Sequence, residues 1–257
     1  KVSGGTANIG GTHTGTGKLT LASGTVGGTG SASFSALDFT GGTVSAKVTS
    51  NGTTTISGAG DKSLAGGELT LGGNTSWDGS AINASGGAKI TNQSGKTFTA
   101  AADGLIANAG TASFKNDGIF TKSAGNAGSA TDIQAKFDSS GAINANAGTL
   151  KLSGGGTSSG NVSIGNGAKL QIANADYGFS GGAISNATAG GTGKLELQSN
   201  TTTFSGATSG DAEIAVTGGG AIFSGTHTGT GKLTLSGTGT VGGAGTATVG
   251  SLDWSGG

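Results

Sequence analysis

The chain has 257 residues, of which 58 are Gly, and it contains no Pro, Cys, Met or Arg. Thirteen Lys residues balance thirteen acidic residues, and a net charge of zero argues against nucleic-acid or anionic-membrane partners, which require clustered positive charge. Without Cys no disulfide can staple the fold, and no apolar run approaches the roughly 20 residues needed for membrane insertion as a helix.

Short alternating segments recur along the chain. In each, one polar or small residue separates two apolar residues, a period of two that predicts a half-buried β-strand. Clusters of Gly, Asn, Ser and Thr separate the segments and predict turns, whereas Gly at this density disfavours helix by about 1 kcal/mol per interior position. The apolar pairs are Leu19/Leu21, Leu69/Leu71, Leu150/Leu152, Leu170/Ile172, Leu195/Leu197, Ile214/Val216 and Leu233/Leu235.

The spacing between similar segments indicates how these strands are arranged. Phe204-Ser-Gly recurs as Phe223-Ser-Gly, and the segment that begins at Leu150 recurs at Leu170. Both spacings match coils of about 20 residues that stack at about 4.8 Å, which are typical of a parallel β-solenoid. A β-sandwich is the alternative, but it does not explain this spacing.

The centre of the chain, residues 79–148, is less regular, and we expect longer coils or side loops there. No change of composition marks a domain boundary, so a single continuous solenoid over residues 1–257 is predicted. The strand-like pieces of the centre are Ala88–Thr91, Thr97–Thr99, Ala112–Phe114, Ile119–Thr121 and Ile133–Phe137.

One segment, GTHTGTGKLTL, occurs twice without change. It occupies Gly11–Leu21 and returns at Gly225–Leu235, and the flanking residues are similar as well. This long repeat predicts one unit of about 214 residues followed by the start of the next, as in an array of units.

Three segments resemble the Gly/Thr-rich repeats of giant bacterial surface proteins, the filamentous-haemagglutinin-like and autotransporter-like adhesins. They are Ile56–Gly79 (ISGAGDKSLAGGELTLGGNTSWDG), Phe114–Gly125 (FKNDGIFTKSAG) and Gly148–Ile172 (GTLKLSGGGTSSGNVSIGNGAKLQI). The resemblance implies a right-handed parallel β-helix, export across the outer membrane, and a role as fibre or adhesin. It carries over no catalytic or ligand-binding residue.

Acidic residues adjoin aromatic residues at three places, and such pairs can contact sugars. Two of the pairs, Asp38-Phe39 and Asp253-Trp254, occupy matching positions of the long repeat. The simpler interpretation is that the acids cap turns and the aromatic rings fill coil corners. The candidate surface or glycan contacts are Trp77, Asp78, Asp253 and Trp254.

No pattern of residues predicts a catalytic, cofactor or metal site. The two His residues, His13 and His227, have only Thr and Gly as neighbours, and a surface position is expected for both. Gly58–Asp61 resembles half of a calcium-binding turn, but a single copy favours a simple turn. We therefore expect a protein that is not an enzyme and binds no cofactor.

The sequence supports two functional hypotheses. The first is a non-catalytic structural segment of a long extracellular bacterial fibre, stalk or sheath, cut from a larger exported protein. Its partners would be itself, by end-to-end continuation, and the outer-membrane export machinery of the parent protein. The alternative is an adhesin module that binds glycans or cell surfaces.

Overall fold

The computed structural model describes residues 1–126 and 128–257 as 37 short β-strands, with no helix among those residues. Consequently, no described segment forms a helix that could cross a membrane. Sheet 1 contains β1 (Thr6–Asn8), β4 (Thr25–Gly27), β7 (Gly42–Val44), β10 (Lys62–Ala65), β13 (Ile82–Ser85), β16 (Gly104–Ala109), β19 (Ala130–Ile133), β22 (Thr149–Leu152), β25 (Lys169–Ile172), β28 (Lys194–Leu197), β31 (Glu213–Val216), β34 (Lys232–Leu235) and β37 (Ser251–Trp254). Sheet 2 contains β2 (Thr12–Thr14), β5 (Ser31–Phe34), β8 (Lys47–Ser50), β11 (Glu68–Leu71), β14 (Lys89–Asn92), β17 (Ser113–Asn116), β20 (Lys136–Ser139), β23 (Gly156–Ser158), β26 (Tyr177–Phe179), β29 (Thr201–Phe204), β32 (Gly220–Phe223) and β35 (Thr240–Gly242). Sheet 3 contains β3 (Lys18–Leu21), β6 (Ala36–Phe39), β9 (Thr54–Ile56), β12 (Thr75–Trp77), β15 (Thr97–Ala100), β18 (Ile119–Lys122), β21 (Ala142–Ala145), β24 (Val162–Ile164), β27 (Gly182–Asn186), β30 (Ala207–Gly210), β33 (Thr226–Gly229) and β36 (Thr246–Thr248).

Each strand pairs in parallel with the strand three positions later in the chain, so every third strand belongs to the same sheet. Three consecutive strands therefore form one coil of a three-sided solenoid. Sheet 1 has thirteen strands, and its twelve steps give a stack roughly 60 Å long at about 4.8 Å per step. The predicted parallel β-solenoid is confirmed.

The length of a coil varies along the stack. Leu150 pairs with Leu170, which gives a coil of the predicted length, whereas Ile106 pairs with Ile133 across a coil that is several residues longer. This lengthening confirms the expectation of longer coils in the centre. The predicted strand Ile133–Phe137 is wrong, because a corner after Ile133 divides it between β19 and β20.

The interior is a continuous apolar column. In β28, Leu195 and Leu197 are fully buried while Glu196 between them faces outward, and both members of the other six apolar pairs are buried as well. Phe204 stacks on the ring of Phe223, with centroids 4.7 Å apart. Burying a side chain of this size stabilises the fold by roughly 1.5–3 kcal/mol. Each coil buries several apolar side chains in the column.

Glycine allows the coils to turn sharply at the corners. Gly42 begins β7 with φ of 90°, and a Cβ atom there would lie 2.3 Å from the carbonyl oxygen of Gly24 on the neighbouring coil. Both the backbone conformation and the close approach require the absence of a side chain. The high Gly content thus follows from the number of corners that pass close to another coil.

A short polar ladder lies beside the apolar column at the corner between sheets 2 and 3. The amide of Asn92 donates to Asn116 Oδ1 at 2.8 Å, and the amide of Asn116 donates to Ser139 Oγ at 2.9 Å. All three side chains are buried and occupy the same register on successive coils. The ladder therefore gives the amide groups of Asn92 and Asn116 hydrogen-bond partners on the next coil.

Candidate functional surfaces

The predicted surface contact at Trp77 is wrong, because this side chain lies in the core. Trp77 is fully buried at the end of β12, and its indole Nε1 donates to the carbonyl oxygen of Ser80 at 2.7 Å. The ring centroid lies 6.0 Å from that of Phe98 on the next coil. The indole group is thus part of the aromatic column and is not available to a sugar.

Asp78 holds the corner that follows Trp77. One carboxylate oxygen accepts from the backbone N–H of Gly58 at 2.8 Å, and the other accepts from that of Ser80 at 3.0 Å. Burial opposes ionisation, but these hydrogen bonds outweigh it and hold the pKa of Asp78 below its usual range. The carboxylate is therefore used to join two coils.

Asp253 and Trp254 lie in β37, the last strand of sheet 1, while Trp77 and Asp78 lie at β12 in sheet 3. The structure does not bring the two predicted pairs together. Trp254 is 67% exposed, and the carboxylate of Asp253 lies 3.7 Å from the ammonium group of Lys232. Glycan binding by Asp253 and Trp254 stays a prediction.

The predicted turn caps are instead strand residues. Asp38 lies within β6 and pairs with Lys18 of the preceding coil at 2.5 Å, and Asp253 has the equivalent position in β37. Phe39 is fully buried within β6 and does not fill a corner. In β6 the alternation of the strand therefore points the acid outward and the apolar residues on either side of it inward.

Outward ion pairs run along sheet 1 from coil to coil. Glu213 lies between Lys194 at 3.1 Å and Lys232 at 3.5 Å, and Thr234 also donates to its carboxylate at 2.7 Å. Burial opposes its charge, but these partners lower the pKa of Glu213 overall. Each exposed pair contributes about 0–1 kcal/mol, so the ladder mainly keeps the outer face polar and its charge balanced.

A polar groove of about 180 Å³ lies at the corner between sheets 2 and 3. Lys115 donates to Asp117 at 2.7 Å, and the hydroxyl of Ser140 donates to the same carboxylate at 2.8 Å. On the next coils, Thr157 donates through its hydroxyl to Asp138 at 3.2 Å. The groove thus presents carboxylates and hydroxyl groups in a row parallel to the stack.

The chemistry of this groove is that of hydrogen bonding. The hydrogen bond from Lys115 lowers the pKa of Asp117, although burial opposes the shift, so the carboxyl group is ionised at neutral pH. A general acid at neutral pH needs a raised pKa. The carboxylates of the groove can accept hydrogen bonds from a polar ligand, such as those of sugar hydroxyl groups, and its own hydroxyl groups can also donate to such a ligand.

Two buried lysines were not identified from the sequence. The ammonium group of Lys62 donates to the carbonyl oxygens of Gly58 and Gly60 at 2.7 and 2.9 Å, and that of Lys122 lies 2.8 Å from Asp103 Oδ1. Both side chains point into the solenoid at the corner between sheets 3 and 1. The available signal was their position, since each is two residues from a buried apolar residue in its strand.

The two His residues differ in their surroundings. His13 is exposed in β2, as expected, but the expected surface position of His227 is wrong, because it is only 4% exposed. Its Nδ1 atom lies 3.0 Å from the hydroxyl of Thr208. Among residues 1–126 and 128–257, no three His, Asp or Glu side chains are grouped to hold a metal ion.

An apolar cleft of about 330 Å³ lies at the end of the stack that contains β35 and β37. Leu233 and Leu235 form its floor, while Val241, Leu252 and Trp254 stand at its sides and are exposed. These are the largest exposed apolar side chains of the described residues apart from Ile119.

Comparison with known proteins identified no relative: no family model, curated protein or solved structure matches this chain.

Proposed function

We propose that this chain is a non-catalytic structural segment of a long fibre, stalk or sheath on a bacterial cell surface. The observation that carries this proposal is the uninterrupted stack, in which three parallel sheets and one apolar column run from the first coil to the last. A coil of this kind buries its apolar residues only against the coils on either side, so adding coils lengthens the rod without widening it.

The outer surface suits a spacer that remains soluble. On sheet 3, hydroxyl side chains follow one another in register, from Thr55 through Ser76 and Thr99 to Thr121. On sheet 1 the charged residues are paired across coils, as at Glu213. Such a surface is polar and hydrated, which discourages sideways association through apolar contacts while leaving the ends free to continue.

Electron microscopy of the purified chain, together with small-angle scattering, tests the proposal. We expect single straight rods roughly 60 Å long, as twelve steps at strand spacing require. Immunogold labelling of the cells that make the protein should then decorate thin surface filaments. Compact particles, or a label confined to the cell interior, would contradict the structural function.

A second candidate function is glycan binding, which the polar groove beside Asp117 and Asp138 favours. A glycan array probed with the chain would test it, using Asp117→Asn/Asp138→Asn as the variant that removes both carboxylates. Glu68→Gln is the matched control, because Glu68 is also an outward acid of sheet 2 paired with lysines. Binding that is lost in the double variant and kept in the control would support this function, and no binding by the native chain would reject it.

A further inference from the structure

The coil that ends in β37 has a covered counterpart near the start of the chain. Residues 24–42 and 239–257 align without a gap, and their strands match: Thr25–Gly27 with Thr240–Gly242 and Ala36–Phe39 with Ser251–Trp254. The turns agree as well, since Gly28 and Gly243 have φ of 109° and 118°. The two coils therefore have the same local conformation.

The two counterpart coils begin on different sides of the solenoid. Thr25–Gly27 belongs to sheet 1, whereas Thr240–Gly242 belongs to sheet 2, and each following strand is displaced by one sheet in the same direction. Because each coil has three sides, the same sequence can be built after a rotation by one side. A partner that fits one coil should therefore fit the other after the same rotation.

The two coils differ sharply in burial. Leu37 and Phe39 are fully buried, whereas the aligned residues Leu252 and Trp254 are 57% and 67% exposed. The difference arises because residues 43–56 cover the first of these coils. In that contact, Phe39 lies opposite Ile56.

The covering coil supplies apolar side chains at matching positions on all three sides. Val44 lies opposite Val26, and Val48 lies opposite Ala32. Val241 is aligned with Val26 and is exposed. A coil with the pattern of residues 43–56 would thus cover Val241, Leu252 and Trp254 together.

We propose that the surface formed by β35, β36 and β37 binds a further coil with the sequence pattern of residues 43–56, rotated by one side of the solenoid. This inference rests on the proposed structural function and names the partner that its end surface accepts. The coil would add one strand to each sheet by parallel backbone pairing, as β7, β8 and β9 do on the preceding coil.

The experiment extends the full chain after Gly257 by TVSAKVTSNGTTTISGAG, the sequence of residues 43–60. The matched control carries the same extension with Ser at the positions of Val44, Val48 and Ile56. Both proteins carry Trp77→Phe, so that Trp254 is the only tryptophan. Acrylamide quenching, emission wavelength and hydrogen exchange of β37 then report whether the end surface is covered.

We expect the patterned extension to reduce the quenching constant of Trp254 several-fold and to shift its emission to the blue, with slower exchange in β37. The control should behave as the chain without an extension. If the two extensions leave Trp254 equally accessible, the proposal is overturned. It is also overturned if the chain without an extension protects Trp254 as its concentration rises, since the occupant would then be a second copy. The rod shape of the unextended chain is measured separately, so failure here does not decide the proposed function.

Discussion

His13 and His227 occupy the same position in two identical segments, yet His13 is exposed on sheet 2 and His227 is buried on sheet 3. The ring of His227 lies against Phe204 and Phe223, with centroids 6.1 and 5.7 Å away. Identical local sequence is thus compatible with two sides of the solenoid. The neighbouring coils, rather than the segment itself, determine the environment of the imidazole.

The first prediction concerns pH. Burial lowers the pKa of His227, because the imidazolium ion is poorly solvated beside two phenyl rings and the hydroxyl of Thr208. The unfolded chain, with a His pKa near 6.5, binds the proton more tightly than the folded chain does. The contribution of neutral His227 to the free energy of unfolding is therefore fully present above about pH 6.5, and it is lost as the pH falls below that value. Hydrogen exchange of β33 and thermal unfolding between pH 7.5 and 5.5 measure the effect.

His227→Gln and His13→Gln are a matched pair for this prediction. The fall in stability between pH 7.5 and 5.5 should disappear in His227→Gln and persist in His13→Gln. Carboxyl groups titrate mostly below this range, near pH 4, so they do not obscure the result. An equal pH dependence in both variants would show that another group is responsible.

The second prediction concerns the aromatic column. The ring of Phe120 stacks on that of Phe98 at 5.2 Å and meets Phe114 edge-on at 5.6 Å. Phe120→Ala should therefore lower the free energy of unfolding by about 3–5 kcal/mol, as large-to-small changes in a packed core do. Urea unfolding, with hydrogen exchange of β18, provides the measurement.

The adjacent residue Ile119 is the control for this prediction, because it lies in the same strand but is 37% exposed. Ile119→Ala should cost no more than about 1 kcal/mol, since little apolar surface is lost from the core. Similar losses in the two variants would contradict the division of β18 into an inward and an outward face.

The strands and their inward faces could be predicted from the sequence because a period of two reports directly on burial. Leu195 and Leu197 illustrate this, with Glu196 outward between them. The coil length followed from the spacing of Phe204 and Phe223, which do lie opposite each other on successive coils. These features depend only on the local pattern and on its repetition.

The side of the solenoid that each strand occupies could not be predicted, since all three sides use the same alternation. The burial of His227 depends instead on the coils beside it: β33 lies between β30 and β36, whereas β2, which carries His13, has β5 on one side only. For Trp77, the adjacent acid indicates a surface position, but the alternation of β12 places the indole ring on the inward face. The partners of Lys62 are backbone carbonyl groups of a turn, and sequence patterns do not reveal where such groups converge.

The third prediction concerns the buried amide ladder. Asn116 accepts from Asn92 and donates to Ser139 and to the carbonyl oxygen of Ala142 at 3.0 Å. Asn116→Ala should cost roughly 2–4 kcal/mol, because it removes the donor that Ser139 Oγ and the Ala142 carbonyl group share. Asn144→Ala, at a half-exposed position of sheet 3, should change stability by less than about 1 kcal/mol. Denaturant unfolding compares the two, and equal losses would argue against a structural ladder.

The fourth prediction concerns Lys62, whose buried ammonium group holds the turn before β10 by donating to the carbonyl oxygens of Gly58 and Gly60. Lys62→Met keeps the length of the side chain but removes the donor, so the carbonyl groups of Gly58 and Gly60 both lose the charged group that joins them. We expect a loss of roughly 2–4 kcal/mol and faster hydrogen exchange in β10 and in the turn.

Lys47→Met is the control, because Lys47 lies on the outer face with its side chain 64% exposed and paired with Glu68 at 3.6 Å. It should stay within about 0.5 kcal/mol of the native chain. If Lys62→Met is as stable as the control, the turn is held by its own backbone geometry and the buried ammonium group is not what supports it.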